Sequence, residues 1–91
     1  MPGPNITVQG TPNPNAAKFT VDRTLVEGGS SESYFDAEQA EGHALAGALF
    51  GITGVVSLLI ADDFVTVTKS DVADWDDLVP KIQDAIKEIL S

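Results

Sequence analysis

VVSLLIADDFVTVTK, residues 55–69, sets two apolar-rich runs on either side of the pair Asp62-Asp63. The first run is nearly continuous in apolar residues. The second alternates Val65 and Val67 with Thr66 and Thr68, the period of a strand with one buried face. A two-residue turn at Asp62-Asp63 makes the two an antiparallel hairpin. Toward the N-terminus, Ile6 and Val8, then Phe19 and Val21, alternate with polar residues and give two further half-buried strands. Residues 27–33 are polar and contain glycine, so they are expected to form a surface loop, with Tyr34 and Phe35 as a short optional strand after it. Asp36 and Gln39 have capping-box spacing, so a helix is expected from Asp36. Its stripe is Ala40, Ala44, Leu45, Ala48, Leu49 and Ile52, with Gly51 and Gly54 as candidate stops.

Toward the C-terminus, Asp74 is expected to cap a second helix, and Trp75, Leu78, Ile82, Ala85, Ile86 and Ile89 share one of its faces. Pro80 lies inside that pattern. Its ring crowds the carbonyl of Asp76, which predicts a tighter first turn or a kink. Two amphipathic helices bury their stripes most simply on one side of a sheet. The expected fold is therefore α+β in the order β-β-(β)-α-β-β-α, a mainly antiparallel sheet of about four strands with two helices on one face. Residues 1–91 are expected to form a single domain, the usual outcome for a chain this short.

Five Lys and Arg against fourteen Asp and Glu give a net charge of −9. Such a field repels phosphate backbones and anionic lipid, so no nucleic-acid or membrane partner is expected. No apolar run is long enough to span a bilayer, and a cytoplasmic location is the expectation from the start of the chain. The chain contains no cysteine, which excludes disulfides, cysteine nucleophiles and thiolate ligation of metals. His43 is the sole histidine and is expected to be an ordinary helical residue. Asp71, Asp74, Asp76 and Asp77 lack the glycine and the bidentate glutamate of a calcium loop. No nucleophile, base and orienting group can be assembled, so the chain is not expected to be an enzyme and no cofactor is expected. What stands out is the loop Thr11, Pro12, Asn13, Pro14 and Asn15. Two prolines stiffen it, which lowers the entropy lost when a partner docks. A rigid connector is the equally simple alternative.

Residues 11–15 with Lys18-Phe19, then Leu45-Ala46, Ala48-Leu49-Phe50, Ile52 and Gly54-Val55, form an ordered pattern. It continues through Asp63-Phe64-Val65-Thr66-Val67-Thr68-Lys69 and Asp74-Trp75 to Leu78, Pro80 and Ile82. This pattern resembles the N-terminal domain of the Nfu/NifU-type scaffold proteins of iron–sulfur cluster biogenesis. Thr53 stands where that family more often has proline. In the family a separate C-terminal domain with a Cys-x-x-Cys pair holds the cluster. A chain with no cysteine cannot do so through thiolates. The resemblance implies a stand-alone accessory or protein-interaction module that meets cluster-assembly or cluster-receiving proteins. It also implies docking through Thr11, Pro12, Asn13, Pro14, Asn15, Lys18, Asp63, Phe64 and Lys69. Two alternatives stand beside it. One is a module for an anionic peptide or carboxylate ligand held by Lys18 and Lys69. The other is a weak iron-binding chaperone using Asp62, Asp63 and the acids of residues 71–77.

Overall fold

The computed structural model describes residues 5–90. Its elements, in chain order, are β1 (Ile6–Gly10), β2 (Ala16–Val21), β3 (Ser31–Tyr34), α1 (Ala44–Phe50), β4 (Val55–Ala61), β5 (Phe64–Lys69) and α2 (Trp75–Leu90). The five strands form one antiparallel sheet in the order β1-β2-β5-β4-β3. The hairpin of residues 55–69 lies at its heart. Ala61 pairs directly with Phe64, so Asp62 and Asp63 are a two-residue turn, and Asp62 adopts a left-handed φ of 47°. The Asp62 carbonyl accepts N–H bonds from Leu25 and Val26, and the Asp63 carbonyl accepts one from Val21. The turn thus anchors the segment that leaves β2.

Alternation along the strands sorts the side chains between two faces. Ala17, Phe19, Val21, Leu58, Ile60, Val65 and Val67 are buried beneath the helices, where they meet Leu45, Ala46, Leu49, Leu78, Ile82 and Ile86. Phe19, Ile60, Val65, Val67, Leu49, Ile82 and Ile86 are wholly inaccessible. Lys18, Thr20, Thr66, Thr68 and Leu59 have the opposite parity, are half-buried, and line the uncovered face.

The expected fold class is present, with five strands in place of about four. The third strand is Ser31–Tyr34 and not Tyr34-Phe35, so residues 31–33 belong to the sheet and not to the preceding loop. Phe35 lies outside it and is 68% exposed. This edge strand has three exposed residues out of four, so it shows no alternation that a sequence reading can detect.

The N-cap of the first helix, His43, lies seven residues beyond the Asp36 that the capping pattern predicts. Gln39 N–H donates to Asp36 Oδ1 at 2.8 Å, and Phe35 N–H donates to Gln39 Oε1 at 2.8 Å. The forward bond of the capping box forms, but the return bond goes to Phe35 N–H and not to that of Asp36, and the two close a series of turns that ends at Gly42, whose φ is +90°. His43 is then the N-cap of α1, its Nδ1 accepting from Ala46 N–H at 3.1 Å. Accepting at Nδ1 puts the imidazole proton of the neutral ring on Nε2, which faces Glu32 Oε1 at 3.4 Å. His43 is therefore a capping residue, a role the sequence reading did not assign.

Asp74 caps α2 as expected, its Oδ1 accepting from Asp76 N–H at 2.9 Å. The helix continues through Pro80. Its opening is tightened: the Asp74 carbonyl accepts from both Asp77 and Leu78 N–H, a shared bond typical of helix starts.

Tyr34, the single tyrosine, packs 5.5 Å from the His43 ring. Partial desolvation, then the Glu32 carboxylate beside it, raise the pKa of its phenol above the ordinary value. A raised folded-state pKa means that the contribution of Tyr34 to stability is intact below the ordinary tyrosine pKa and is lost as pH rises through the folded-state value. Tyrosinate absorbance should therefore titrate at higher pH in the folded chain than in urea, and Glu32→Gln should narrow the gap. Coincident folded and unfolded titrations would contradict this.

Candidate functional site

The loop between β1 and β2 is held by a dense set of bonds. Thr11 Oγ1 donates to the carbonyls of Asn13 (2.9 Å) and Ala16 (3.1 Å) as alternative acceptors, and it accepts from Asn13 N–H at 3.1 Å. Asn13 Oδ1 accepts from Asn15 N–H at 2.9 Å, an Asx-type turn that preorganises the segment. The two prolines thus act together with side-chain bonds that the sequence alone does not display.

Three residues from the far side of the chain then clamp the loop. Trp75 Nε1 donates to the Pro14 carbonyl at 3.0 Å. Lys69 Nζ donates to Asn15 Oδ1 at 3.1 Å and to the Ser70 carbonyl at 3.2 Å. Asn15 Nδ2 donates to Asp71 Oδ1 at 2.5 Å, and Lys69 N–H donates to the Asn15 carbonyl at 2.7 Å. Lys69 also lies 6.0 Å from the Trp75 ring centroid, within cation–π range. Pro12, Asn13 and Pro14 remain exposed on top. The result is a fixed ledge at one end of the sheet.

Next to the ledge is a groove of about 240 Å³ between β1 and α2, lined mainly by apolar atoms of Val8, Gly10, Ala17, Pro14, Trp75 and Val79. Small-molecule sites usually measure about 300–1,000 Å³, so this groove suits one large side chain better than a metabolite. Sequence reasoning assigned Trp75 to the core and left Val8 and Val79 out of the site. Trp75 is in fact half-buried, with its ring 6.4 Å from Phe19 and its polar tip on the loop. The available clue was a tryptophan at the first position of a helix, where an amphipathic ring can pack at one end and hydrogen-bond at the other.

The nine residues read from the sequence as docking residues do not form one patch. Thr11, Pro12, Asn13, Pro14, Asn15 and Lys69 are together at the ledge. Lys18 and Phe64 form a separate pair on the uncovered face of the sheet, with Lys18 Nζ 4.3 Å from the Phe64 ring centroid. Asp63 is at the opposite end of β5, in the hairpin turn. Lys18 pairs across the sheet with Thr66, whereas Lys69 has the parity of the buried Val65 and Val67, so the two lysines project from opposite faces. They do not converge on a shared anion.

The carboxylates are likewise dispersed. Asp71 is bonded to Asn15, and Asp74 caps α2. Among the described residues, no group of three or more His, Cys, Asp or Glu side chains is placed to hold a metal ion. With no cysteine in the chain, the donor set does not fit an iron–sulfur cluster, which needs thiolates in most of its forms.

Since Asn15 joins Lys69 and Asp71, Asn15→Ala should destabilise the chain by about 1–2 kcal/mol, read as a lower urea midpoint at unchanged slope. An unaltered midpoint would mean that these bonds contribute nothing to the ledge.

The chain matches the family described as scaffold protein Nfu/NifU N terminal over residues 6–91. It is 40% identical over 86 residues to NifU-like protein 4, mitochondrial, of Arabidopsis thaliana, covering 94% of this chain and 30% of the relative. It is 31% identical over 77 residues to the mitochondrial NFU1 iron-sulfur cluster scaffold homolog of Drosophila ananassae, covering 85% and 27%. The chain thus spans less than a third of the length of these curated relatives. Among solved structures, it resembles protein SAV1430 of Staphylococcus aureus with a TM-score of 0.77 at 27% identity, over 89% of this chain and 96% of that one. A NifU-like protein of Saccharomyces cerevisiae gives a TM-score of 0.76 at 29% identity, over 94% and 77%.

These relatives correct the expectation of a cytoplasmic location, since those from Arabidopsis and Drosophila are named as mitochondrial proteins. Acidity and the lack of a spanning helix among the described residues bear on solubility and membrane insertion. Compartment is set by targeting signals that a folded domain's composition does not encode. With the family pattern matched from β1 through α2, and the fold shared with the structures above, this chain belongs to the Nfu/NifU N-terminal family of iron–sulfur cluster scaffold proteins.

Proposed function

We propose that this domain is a non-enzymatic interaction module of iron–sulfur cluster assembly, which docks cluster-assembly or cluster-receiving proteins and does not itself ligate a cluster. The observation that carries the reading is a cysteine-free chain of this family whose proline-asparagine loop is clamped into an exposed ledge by Trp75 and Lys69. A preformed ledge limits the entropy lost on association. The cluster is the cargo of the longer scaffold proteins, and the ledge at Thr11, Pro12, Asn13, Pro14 and Asn15 serves their partner contacts. Lys18 with Phe64, and Asp63, are secondary contacts on the sheet face and at the hairpin turn.

A net charge of −9 favours a basic partner surface. The test is anaerobic affinity capture from a native lysate with identification of the bound proteins, followed by measurement of affinity for the strongest of them. Cluster-assembly or cluster-receiving proteins are the expected catch. Pro12→Lys adds bulk and positive charge at an exposed position. It should weaken the measured affinity more than about tenfold, or 1.4 kcal/mol, while stability falls by less than about 1 kcal/mol. Capture of unrelated proteins alone, or full affinity in folded Pro12→Lys, would contradict the reading.

A further inference from the structure

The two edges of the sheet differ in how they are protected. Natural edge strands are kept from pairing by shortness, charge, proline or bulges. The edge at β3 is four residues long and contains Glu32, which pairs with His43. The edge at β1 has none of these devices. Its sequence ITVQG contains no charge and no proline, and its five residues pair with β2 in unbroken register from Ile6↔Val21 to Gly10↔Ala17. Four of the five residues are exposed. An edge strand hydrogen-bonds to a neighbour on one side only, so alternate N–H and C=O groups of β1 face outward.

The apolar groove lies along this same edge. Val8 is 37% exposed and projects toward the helix side with Ile6. Trp75 and Val79 of α2 form the opposite wall. A cross-strand neighbour on the open side of β1 places every second side chain on this face, over the groove. Gly10 leaves the end of the edge open, since a Cβ there would meet no atom within 4 Å.

The charge around the edge selects the flanks of an occupant. Asp22 is bonded to Asn5 N–H at the start of β1. Asp71 is beneath the loop at its far end, and exposed Asp76 follows Trp75. No lysine or arginine lies within β1 or lines the groove. Arg23 is paired with Asp22 and Lys69 is held by Asn15 at the ledge, so the excess acid around the edge comes from exposed Asp76 and the net charge of −9.

We infer that the β1 edge and the groove between β1 and α2 form a strand-addition site for an extended peptide segment of a partner protein, with a bulky apolar residue in the groove and basic residues on its flanks. Main-chain pairing supplies affinity, and the groove supplies specificity, as in other strand-addition modes. The inference rests on the docking role proposed above and names the peptide chemistry that the ledge region takes.

The test uses the full chain as bait against a phage-displayed library of random linear peptides, with the Val8→Lys variant as counter-bait. Lysine is well tolerated on edge strands, so this variant should fold, and Val8→Ile serves as the control that keeps an apolar β-branched wall. The expected enriched peptides contain one bulky apolar residue flanked by Lys or Arg. They should shift the emission of Trp75, the single tryptophan, and show intermolecular contacts to Thr7, Val8 and Gln9 by NMR. Binding of the synthesised peptide should weaken at least tenfold in Val8→Lys, remain within threefold in Val8→Ile, and disappear when alternate backbone nitrogens of the peptide are methylated.

No enrichment over an unrelated acidic bait would overturn the inference. So would enriched peptides indifferent to Val8→Lys and to methylation, or peptides that contact Lys18 and Phe64 on the other face. If Val8→Lys retains the lysate partner while Pro12→Lys loses it, the docking role stands and strand addition falls. If no cluster-related partner is captured by the wild type, the docking role itself fails, whatever the peptides do.

Discussion

Trp75→Ala should lower the stability of the folded chain by about 3 kcal/mol. Truncating a core aromatic costs about 3–5 kcal/mol, and Trp75 is half-buried, which reduces the packing loss. Its ring nevertheless packs at 50° to Phe19, a wholly buried residue of β2. Its indole N–H also fixes the Pro14 carbonyl, and losing that bond adds about 1 kcal/mol. Trp75→Phe separates the two contributions. It keeps a ring against Phe19 and removes the bond, so it should cost about 1–2 kcal/mol. Urea denaturation followed by far-ultraviolet circular dichroism measures both, since the fluorescent reporter is removed. In Trp75→Ala the backbone amide resonances of Thr11, Asn13 and Asn15 should also broaden. An unchanged midpoint would show that the tryptophan is a surface side chain and the ledge is held by other means.

Gly54→Ala should cost about 2–4 kcal/mol, although it adds a single methyl group. Gly54 has a φ of +106°, a backbone region that residues with a Cβ rarely adopt, and holding one there costs about 1–3 kcal/mol. A Cβ at this position would also lie 2.9 Å from Ala73 Cβ. That atom has no rotamer by which to withdraw, and its backbone is tied by the Ala73 N–H bond to the Ser70 carbonyl. The Gly54 carbonyl in turn accepts from Ser70 N–H at 2.8 Å, so a shift at Gly54 disturbs the run from β5 into α2. Adding Ala73→Gly removes the collision and leaves the strained φ. The double variant should therefore recover part of the loss and not all of it, a coupling between neighbours that a double-mutant cycle quantifies. Full recovery would mean that the backbone conformation costs nothing. No recovery would mean that the collision is relieved elsewhere.

The sequence discloses those parts of this fold in which one face of an element is buried. The hairpin of residues 55–69 is legible because Val65 and Val67 must alternate with threonines to seal the core, and its turn falls at Asp62-Asp63. The stripe of α2 is legible for the same reason. β3 is not, because Ser31, Glu32 and Ser33 are exposed and their polarity imitates a loop. The start of α1 misleads in a different way. The Asp36 and Gln39 bonds form, but Gly42 interrupts the winding and His43, outside the residues preferred as N-caps, begins the helix. At the candidate site, the stiffness of the loop is visible in its prolines. Its attachment to Trp75, Lys69 and Asp71 spans 54 to 61 positions in the chain, and local spacing contains no record of such contacts. Sequence likewise placed Lys18 near Lys69 by association with the loop, whereas strand parity sends them to opposite faces.

On the proposed reading, this domain serves cluster assembly through contacts and holds no cluster with its own side chains. Anaerobic reconstitution with ferrous iron and sulfide, followed by desalting, tests it most directly through the visible charge-transfer absorption and the iron and sulfide retained. The expected result is a colourless protein with no stoichiometric iron or sulfide. A stable visible band on the folded chain, with matching iron and sulfide content, would contradict it.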